Sequence, residues 1–293
     1  TKIPLIALAS SGVLNVLLNL FFVAVLHMKV SGVAIATVIS NTVSSVLLYI
    51  RLRRSTQVIH LEPKALGIDW PTLGRILRIG LPAGIQSAVF ALSNIVIQSA
   101  INSLGTVVIA ASSAAFNIEI MAYYVLNSFS QACTTFVGQN YGAGRLDRCR
   151  KALILCLVED LIASACAIGL VLLCGKSLLA IFNNDPEVIA IGYTRLLIIF
   201  SAYTFSMLYE VMSGYLRGFG ISLVPAVLTT LGVCGVRISW IQLVFPLRRT
   251  FSTIMIAYPA SLSATALLIG IALFVYQPSR RYAAKQAKQY AGC

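Results

Sequence analysis

The sequence predicts an all-α polytopic membrane protein of eight transmembrane helices, two from the end of a first lobe followed by a six-helix second lobe. Three observations carry the membrane assignment. Hydrophobic residues make up 58% of the 293 and charged residues only 11%, against about a quarter charged in soluble domains. The mean hydropathy is +0.88. Apolar runs of spanning length, roughly 20 residues each, recur along the whole chain, and the ten-residue alternation of a barrel strand is missing. Helices satisfy their own backbone hydrogen bonds in lipid, which selects them over open strands.

The runs fall at about 4–26, 30–50, 81–101, 106–137, 152–174, 188–215, 222–246 and 251–276. The first contains no charged residue, yet Asn15 and Asn19 interrupt it. Four positions apart, they stand one above the other on one helix face. The first run is longer than a signal-peptide core. The chain begins with Thr1 rather than Met, so a fragment of a longer protein is expected.

Between the second and third runs lies the longest polar interval, "RLRRSTQVIHLEPKALGIDWPTLGRILRIG" at 51–80. Asp69 is placed to cap a helix with Pro71 at an early position. Leu73, Ile76 and Leu77 form an apolar face beside Arg75 and Arg78, the pattern of an interfacial helix on the cytoplasmic surface. The expected organisation is therefore residues 1–50 as two helices of a first lobe, 51–80 as a cytoplasmic linker, 81–276 as the six-helix lobe and 277–293 as a basic tail.

Charge orients this arrangement. The net charge of +13 fits either nucleic acid or an anionic leaflet, and its distribution decides for the leaflet. Sixteen of the 22 basic residues fall in alternate loops or at the termini on one side, including Arg51, Arg53, Arg54, Arg145, Arg148, Arg150, Lys151 and Arg217. Lys29, Lys176, Arg248 and Arg249 fall on the other, and Arg195 and Arg237 lie within helices. By the positive-inside rule both ends of this chain are cytoplasmic, in a multi-pass protein of the inner (plasma) membrane. Seven cysteines without a CxxC pair give neither a disulfide framework nor a zinc site.

A faint parallel repeat pairs "GVLNV" at 12–16 with "GVCGV" at 232–236, and "IAT" at 35–37 with "IAY" at 256–258. Helices one and two then match helices seven and eight, as halves related by an axis along the membrane normal. If the last six helices are a complete lobe, the first two end another whose four opening helices lie upstream.

The chain resembles the MATE family, the multidrug and toxic compound extrusion transporters. The resemblance rests on "GLPAGIQSAVF" at 80–90, "AAFNIEIMAYYVLNSFSQACTTFVGQNYGAGRLDRCRK" at 114–151, "SGYLRGFG" at 213–220 and "GVAIAT" at 32–37. Taken in this order, the chain corresponds to helices five to twelve of the usual twelve. The resemblance implies two six-helix bundles forming a V, and alternating-access export of organic cations or drugs in exchange for sodium ions or protons. It also implies a cation site in the first lobe, whose fifth-helix pair falls on Asn15 and Asn19 and whose sixth-helix Thr falls on Thr37. The family's second fifth-helix position is commonly Asp. Asn19 cannot titrate, so the pair also reads as interhelical hydrogen bonding.

In the second lobe the ionisable residues stand out. Glu119 lies thirteen residues past Thr106, about 20 Å along its helix, where a charge is costly unless it faces a cavity or a partner. Tyr123 follows one turn later and Ser130 three turns later. An acid at that depth suits a proton carrier or the recognition of cationic drugs. Glu210 sits about 10 Å below the end of its helix, to line an inner gate or pair with Arg217. Arg237 needs a counter-charge or carbonyls, and Glu119 and Glu210 are the candidates. Glu159 and Asp160 read as interfacial. Gln86, Ser87, Asn94 and Gln98 give the third helix a polar side that lines a cavity or packs.

Enzyme motifs fail. "GQNYGAGR" follows no strand and carries no GKS or GKT, so it is no phosphate cradle. With only His27 and His60, no metal or hydrolase constellation assembles. The expectation is no enzyme, no cofactor beyond a coupling sodium ion or proton, cationic or amphipathic substrates, no nucleic-acid partner and a monomer. The alternatives are a lipid-linked oligosaccharide flippase of the same superfamily and a non-transporting scaffold.

Overall fold

The computed structural model describes residues 2–54, 67–279 and 282. It is an all-α polytopic membrane protein: among the described residues seven helices are long and apolar enough to cross a membrane, eight if the bent pair Pro186–Ser201 and Tyr203–Gly218 is taken as one span. The chain divides into two compact units, Thr1–Trp70 and Pro71–Cys293.

The first unit is a helical hairpin. Helix α1 (Lys2–Leu20) runs on through a π turn at Phe21–Val25, and α2 spans Val30–Arg53. The buried residues of α2 are Gly32, Ala36, Ser40 and Ser44, spaced four apart. This stripe of small residues lets the backbones approach, as helices do where lipid gives no hydrophobic drive for association. Ser11 in α1 donates to the Ser40 carbonyl at 2.7 Å. The outward faces are large and apolar, including Leu5, Leu8, Val16, Val38 and Leu47.

The second unit begins with α3 (Trp70–Asn102), then α4 (Thr106–Gly142) and α5 (Leu146–Ala180). Two pairs of shorter helices follow. The first is α6 (Pro186–Ser201) and α7 (Tyr203–Gly218), the second α8 (Leu223–Thr229) and α9 (Val236–Leu243) joined by a π segment at Thr230–Gly235. Helix α10 (Phe251–Tyr276) completes the unit. Asp185 starts α6 by accepting the Glu187 N–H at 2.9 Å, with Pro186 at the first helical position, as capping chemistry dictates. The glycine-rich "GQNYGAGR" is the end of α4 and the tight 143–145 turn into α5, where Gly144 takes φ 73°, a conformation that favours glycine.

Three boundaries differ from the sequence expectation. Residues 70–80, expected as a separate surface helix, are continuous with the span: α3 passes through Pro82 without ending. Proline has no N–H for the carbonyl of Arg78 one turn back, and Ser222 donates its hydroxyl to that carbonyl at 3.3 Å instead. The stretch 55–66 of the expected linker and residues 283–293 of the basic tail lie outside the described residues. The span expected at 188–215 is broken at Ala202, where α6 and α7 meet at 46°. Helix α5 starts at Leu146, earlier than its apolar run, because a helix continues past the lipid wherever its polar first turn can be solvated.

The body of this unit is assembled around α4, which packs against α5, α6 and α7. The α4–α7 seam is close because Gly214 and Gly218, spaced as in GxxxG, face Ser130, Thr134 and Val137. Thr134 donates to the Gly214 carbonyl at 3.0 Å and Ser130 to the Glu210 carbonyl at 2.7 Å. Helix α3 makes only sparse backbone contact with the other helices. Its C-terminal half packs Ile97, Ala100 and Ile101 into the core, and its other half is tethered by polar bonds: the Ser222 bond to Arg78, and Gln86 Nε2 donating to Thr229 Oγ1 at 2.6 Å.

A Cβ on Gly214 would stand 2.6 Å from the Ser130 carbonyl oxygen, whereas one on Gly169 would meet nothing within 4 Å. Gly214→Ala is therefore expected to cost about 1–3 kcal/mol by overpacking. Gly169→Ala should be neutral or slightly stabilising. Thermal unfolding of the two variants in detergent measures the difference, and equal melting temperatures would refute the close seam.

Candidate functional site

The sparse packing of α3 leaves space between it and the body of the second unit. A cavity of about 270 Å³ lies there, walled by Phe90 and Asn94 of α3, Glu119 and Tyr123 of α4, Arg195 of α6, Tyr203 and Glu210 of α7, Arg237 of α9 and Tyr258 of α10. Six helices thus supply its polar groups. A second recess shares Asn94, Phe116, Arg195 and Tyr258 with the first and includes Gln98.

Glu119 is 7% exposed and Arg195 3%. The two form a bidentate pair, with Arg195 Nε donating to Glu119 Oε1 at 2.6 Å and Nη2 to Oε2 at 2.8 Å. Arg195 Nη1 donates to Ser112 Oγ, and Tyr203 Oη donates to the Glu119 backbone carbonyl at 3.2 Å. The guanidinium also lies 5.9 Å from the Phe116 ring centroid and 5.8 Å from that of Tyr258. Such a fork-to-fork geometry is what Arg offers and Lys does not. The counter-charge of Glu119 is therefore Arg195, and the expected pairing with Arg237 is corrected.

Arg237 is held differently. Its Nε donates to Ser261 Oγ at 3.0 Å, and its guanidinium stacks 4.2 Å from the Tyr258 ring centroid. Glu210 is paired with Arg217 at 3.6 Å, one of the two arrangements its position suggested. Tyr123 Oη accepts a hydrogen bond from Asn127 Nδ2 at 2.6 Å. Of the polar residues on α3, Asn94 reaches the cavity, Gln86 bonds Thr229, and Gln98 donates to Asn102 within its own helix at 2.8 Å.

Asp160 is a second correction. It is 2% exposed, not interfacial, and its Oδ1 has no hydrogen-bond partner among the described residues. Glu159 is exposed. Adjacent helical residues point about 100° apart, so one acid faces out and the next faces the core. Ser164, one turn on, is also buried with an unpartnered hydroxyl.

In the first unit, Asn15, Asn19 and Thr37 are brought together. Asn15 Nδ2 lies 3.5 Å from Thr37 Oγ1 and 3.1 Å from Ser40 Oγ, and Asn19 Nδ2 donates to Asn15 Oδ1 at 3.0 Å. The two Asn15 contacts join α1 to α2, and the Asn19 bond stays within α1. Asn19 Oδ1 remains a buried acceptor with no partner among the described residues.

Sequence reasoning missed Arg195, Tyr203, Tyr209 and Tyr258 as parts of one cavity, and Ser112 in the recess beside it. A signal existed for Arg195, because an arginine inside the apolar run "TRLLIIF" demands an acid at similar depth. The tyrosines carry no such signal.

The Glu119–Arg195 pair generates a test. Glu119→Gln leaves Arg195 buried without its anion, a loss of about 3–5 kcal/mol for a broken buried pair. The double variant Glu119→Gln with Arg195→Gln removes both charges and is expected to recover most of that loss. Melting temperature and monodispersity in detergent report it. A single variant as stable as the wild type would show that the pair is not energetically coupled.

The MatE family profile matches residues 82–241. The chain is 26% identical over 248 residues to the probable multidrug resistance protein NorM of Thermotoga maritima, covering 81% of this chain and 52% of that protein. It is 25% identical over 289 residues to the probable multidrug resistance protein YoeA of Bacillus subtilis, covering 94% and 62%. With the multidrug resistance protein PmpM of Pseudomonas aeruginosa it shares 34% over 175 residues, 57% of this chain and 36% of that one. The chain thus spans roughly half the length of these curated relatives. Among solved structures, a MATE in the straight conformation superposes with a TM-score of 0.82 at 17% identity, covering 96% of this chain and 63% of that one. An outward-facing multidrug resistance MATE family transporter superposes at 0.81, also at 17% identity, covering 96% and 62%.

Proposed function

The chain belongs to the MatE family, and on that premise we propose that it forms part of a secondary transporter exporting organic cations and amphipathic drugs in exchange for sodium ions or protons by alternating access. The observation that carries the reading is the cavity of the second unit. A space of about 270 Å³ is near the lower bound for small-molecule sites, and aromatic walls with a few fixed polar groups are the usual lining of such sites. Ionised residues at membrane depth are costly and are used for substrate and ion pathways. The multidrug names of the relatives support drug-like substrates, and a family of transporters supports translocation rather than enzymatic turnover.

In this proposal Glu119, Tyr123, Glu210 and Arg237 contact the substrate or transfer protons, Asn94 and Gln98 add polar contacts from α3, and Gln86 anchors that helix. Asn15, Asn19 and Thr37 contribute to coupling-ion binding. They offer neutral carbonyl and hydroxyl oxygens of the kind that replace a small cation's water shell. Residues 1–54 contain no Asp or Glu, so the negative charge of such a site comes from elsewhere in the protein. The basic loops support a protein of the plasma membrane with both ends of this chain in the cytoplasm, and the two units correspond to the end of one lobe and a second lobe.

The test is uptake into inverted membrane vesicles carrying the full-length protein, using ethidium and a set of amphipathic fluorophores of each charge. Imposed sodium and proton gradients are applied separately. Export driven by either gradient and abolished by its collapse is expected. A stable Glu119→Gln, Arg195→Gln protein that exports as well as the wild type would make that pair structural. Absence of gradient-driven movement of every probe would refute the transport reading.

A further inference from the structure

Taking the cavity as the substrate path proposed above, we propose that Arg237 is a carboxylate-recognising subsite, selecting amphipathic molecules that carry a carboxylate as anions or zwitterions. The argument begins with the charges that line the cavity. They are Glu119, Arg195, Glu210 and Arg237. Each acid already has its own arginine: Glu119 is held by Arg195 through two hydrogen bonds, and Glu210 lies 3.6 Å from Arg217. Among the described residues Arg237 forms no ion pair. One positive charge is therefore left over in the cavity wall.

That charge is buried and oriented. Arg237 is 7% exposed, and its planar group lies on the Tyr258 ring with Nε committed to Ser261. A guanidinium has five N–H donors. The four on Nη1 and Nη2 make no hydrogen bond to a described residue, and Arg237 is part of the cavity lining. Buried charged donors without acceptors are expensive, whereas a carboxylate accepts two parallel bonds from this fork. The π segment Thr230–Gly235 ends two residues before Arg237, and such turns are frequent at functional sites. Gly232 within it lies so close to Thr265 of α10 that a Cβ there would collide, which fixes the segment against α10 and with it the start of α9.

Charge matching chooses the anion. One unpaired arginine balances a monoanionic head, whereas a phosphate dianion wants two cations and would have to draw Arg195 from Glu119 or Arg217 from Glu210. The aromatic walls, Phe90, Phe116 and Tyr258 among them, suit a flat apolar body attached to that head. A free amine elsewhere on the molecule remains compatible, since ring faces attract cations.

The experiment is equilibrium binding to the full-length protein in nanodiscs, by calorimetry, with 2-naphthoate, 2-naphthamide and inorganic phosphate as probes. The expected result is naphthoate bound at least about tenfold more tightly than the amide, as a charge-assisted bidentate contact implies. Phosphate should not displace it. Arg237→Gln should erase the preference, so that acid and amide bind within about twofold of each other, and Arg237→Lys, which keeps the charge but loses the fork, should retain part of it. Equal binding of acid and amide to the wild type would overturn the proposal without recourse to any variant. So would a preference that survives in Arg237→Gln, or displacement of naphthoate by phosphate. Because binding is read without transport, a protein that exports fluorophores regardless of their carboxylate sinks the subsite alone. Failed export with the naphthoate preference intact sinks the transport reading alone.

Discussion

The second unit is organised by the buried pair between Glu119 and Arg195. Neither ion tolerates lipid by itself, so the helices that carry them, α4 and α6, must keep these two points together. Ser112 and Tyr203 complete the arrangement by occupying one of the remaining guanidinium donors and the Glu119 carbonyl. The pair thus fixes the rotation of α4 about its axis, and that rotation decides what else faces inward. It turns Ser130 and Thr134 toward α7, where the glycines of "SGYLRGFG" receive them. Tyr123, one turn from Glu119, is turned to the cavity for the same reason.

The two units solve the same problem with different chemistry. In the hairpin of α1 and α2, where no acid or base lies in the apolar core of either helix, small residues at four-residue spacing bring backbones close and neutral amides and hydroxyls bridge them. Hydrogen bonds of this kind contribute about 0.6–2 kcal/mol in membranes. In the second unit, charged pairs and a close glycine seam do the joining, while α3 packs Ile97, Ala100 and Ile101 into the core and adds hydrogen bonds at Arg78 and Gln86. The cavity lies beside Phe90 and Asn94 of that helix.

Hydropathy made the spans legible, because each must cross a hydrocarbon layer of fixed thickness and composition records it directly. The depth of Glu119 was legible for the same reason. Its partner was not, since Arg195 stands 76 residues away and only helix rotation and tilt decide between it and Arg237. Arg237 was legible as a buried cation in need of something, but not as one left with none of the cavity's acids. Asp160 was misread because burial of adjacent residues on a helix depends on phase, which an apolar sequence with little polar contrast does not reveal. The break at Ala202 was invisible too: no proline or glycine marks it.

The position of that break gives the charged pairs a mechanical sense. Arg195 lies before Ala202 and binds α4 at Glu119, while Glu210 and Arg217 lie after it on α7, alongside Ser130 and Gly214 on the same α4 seam. Helix α4 is therefore fastened to both halves of the bent pair, on either side of the 46° bend. Any rearrangement that preserves these contacts must carry α4, α6 and α7 as one body. Helix α3 is joined to the unit by other means: Ile97, Ala100 and Ile101 pack into the shared core, and its side-chain and carbonyl hydrogen bonds run to Thr229 and Ser222 near α8. Breaking such a neutral hydrogen bond costs about 0.5–1.5 kcal/mol, against about 3–5 kcal/mol for separating a buried charged pair, so the contacts of α4 with α6 are the costlier ones to disrupt.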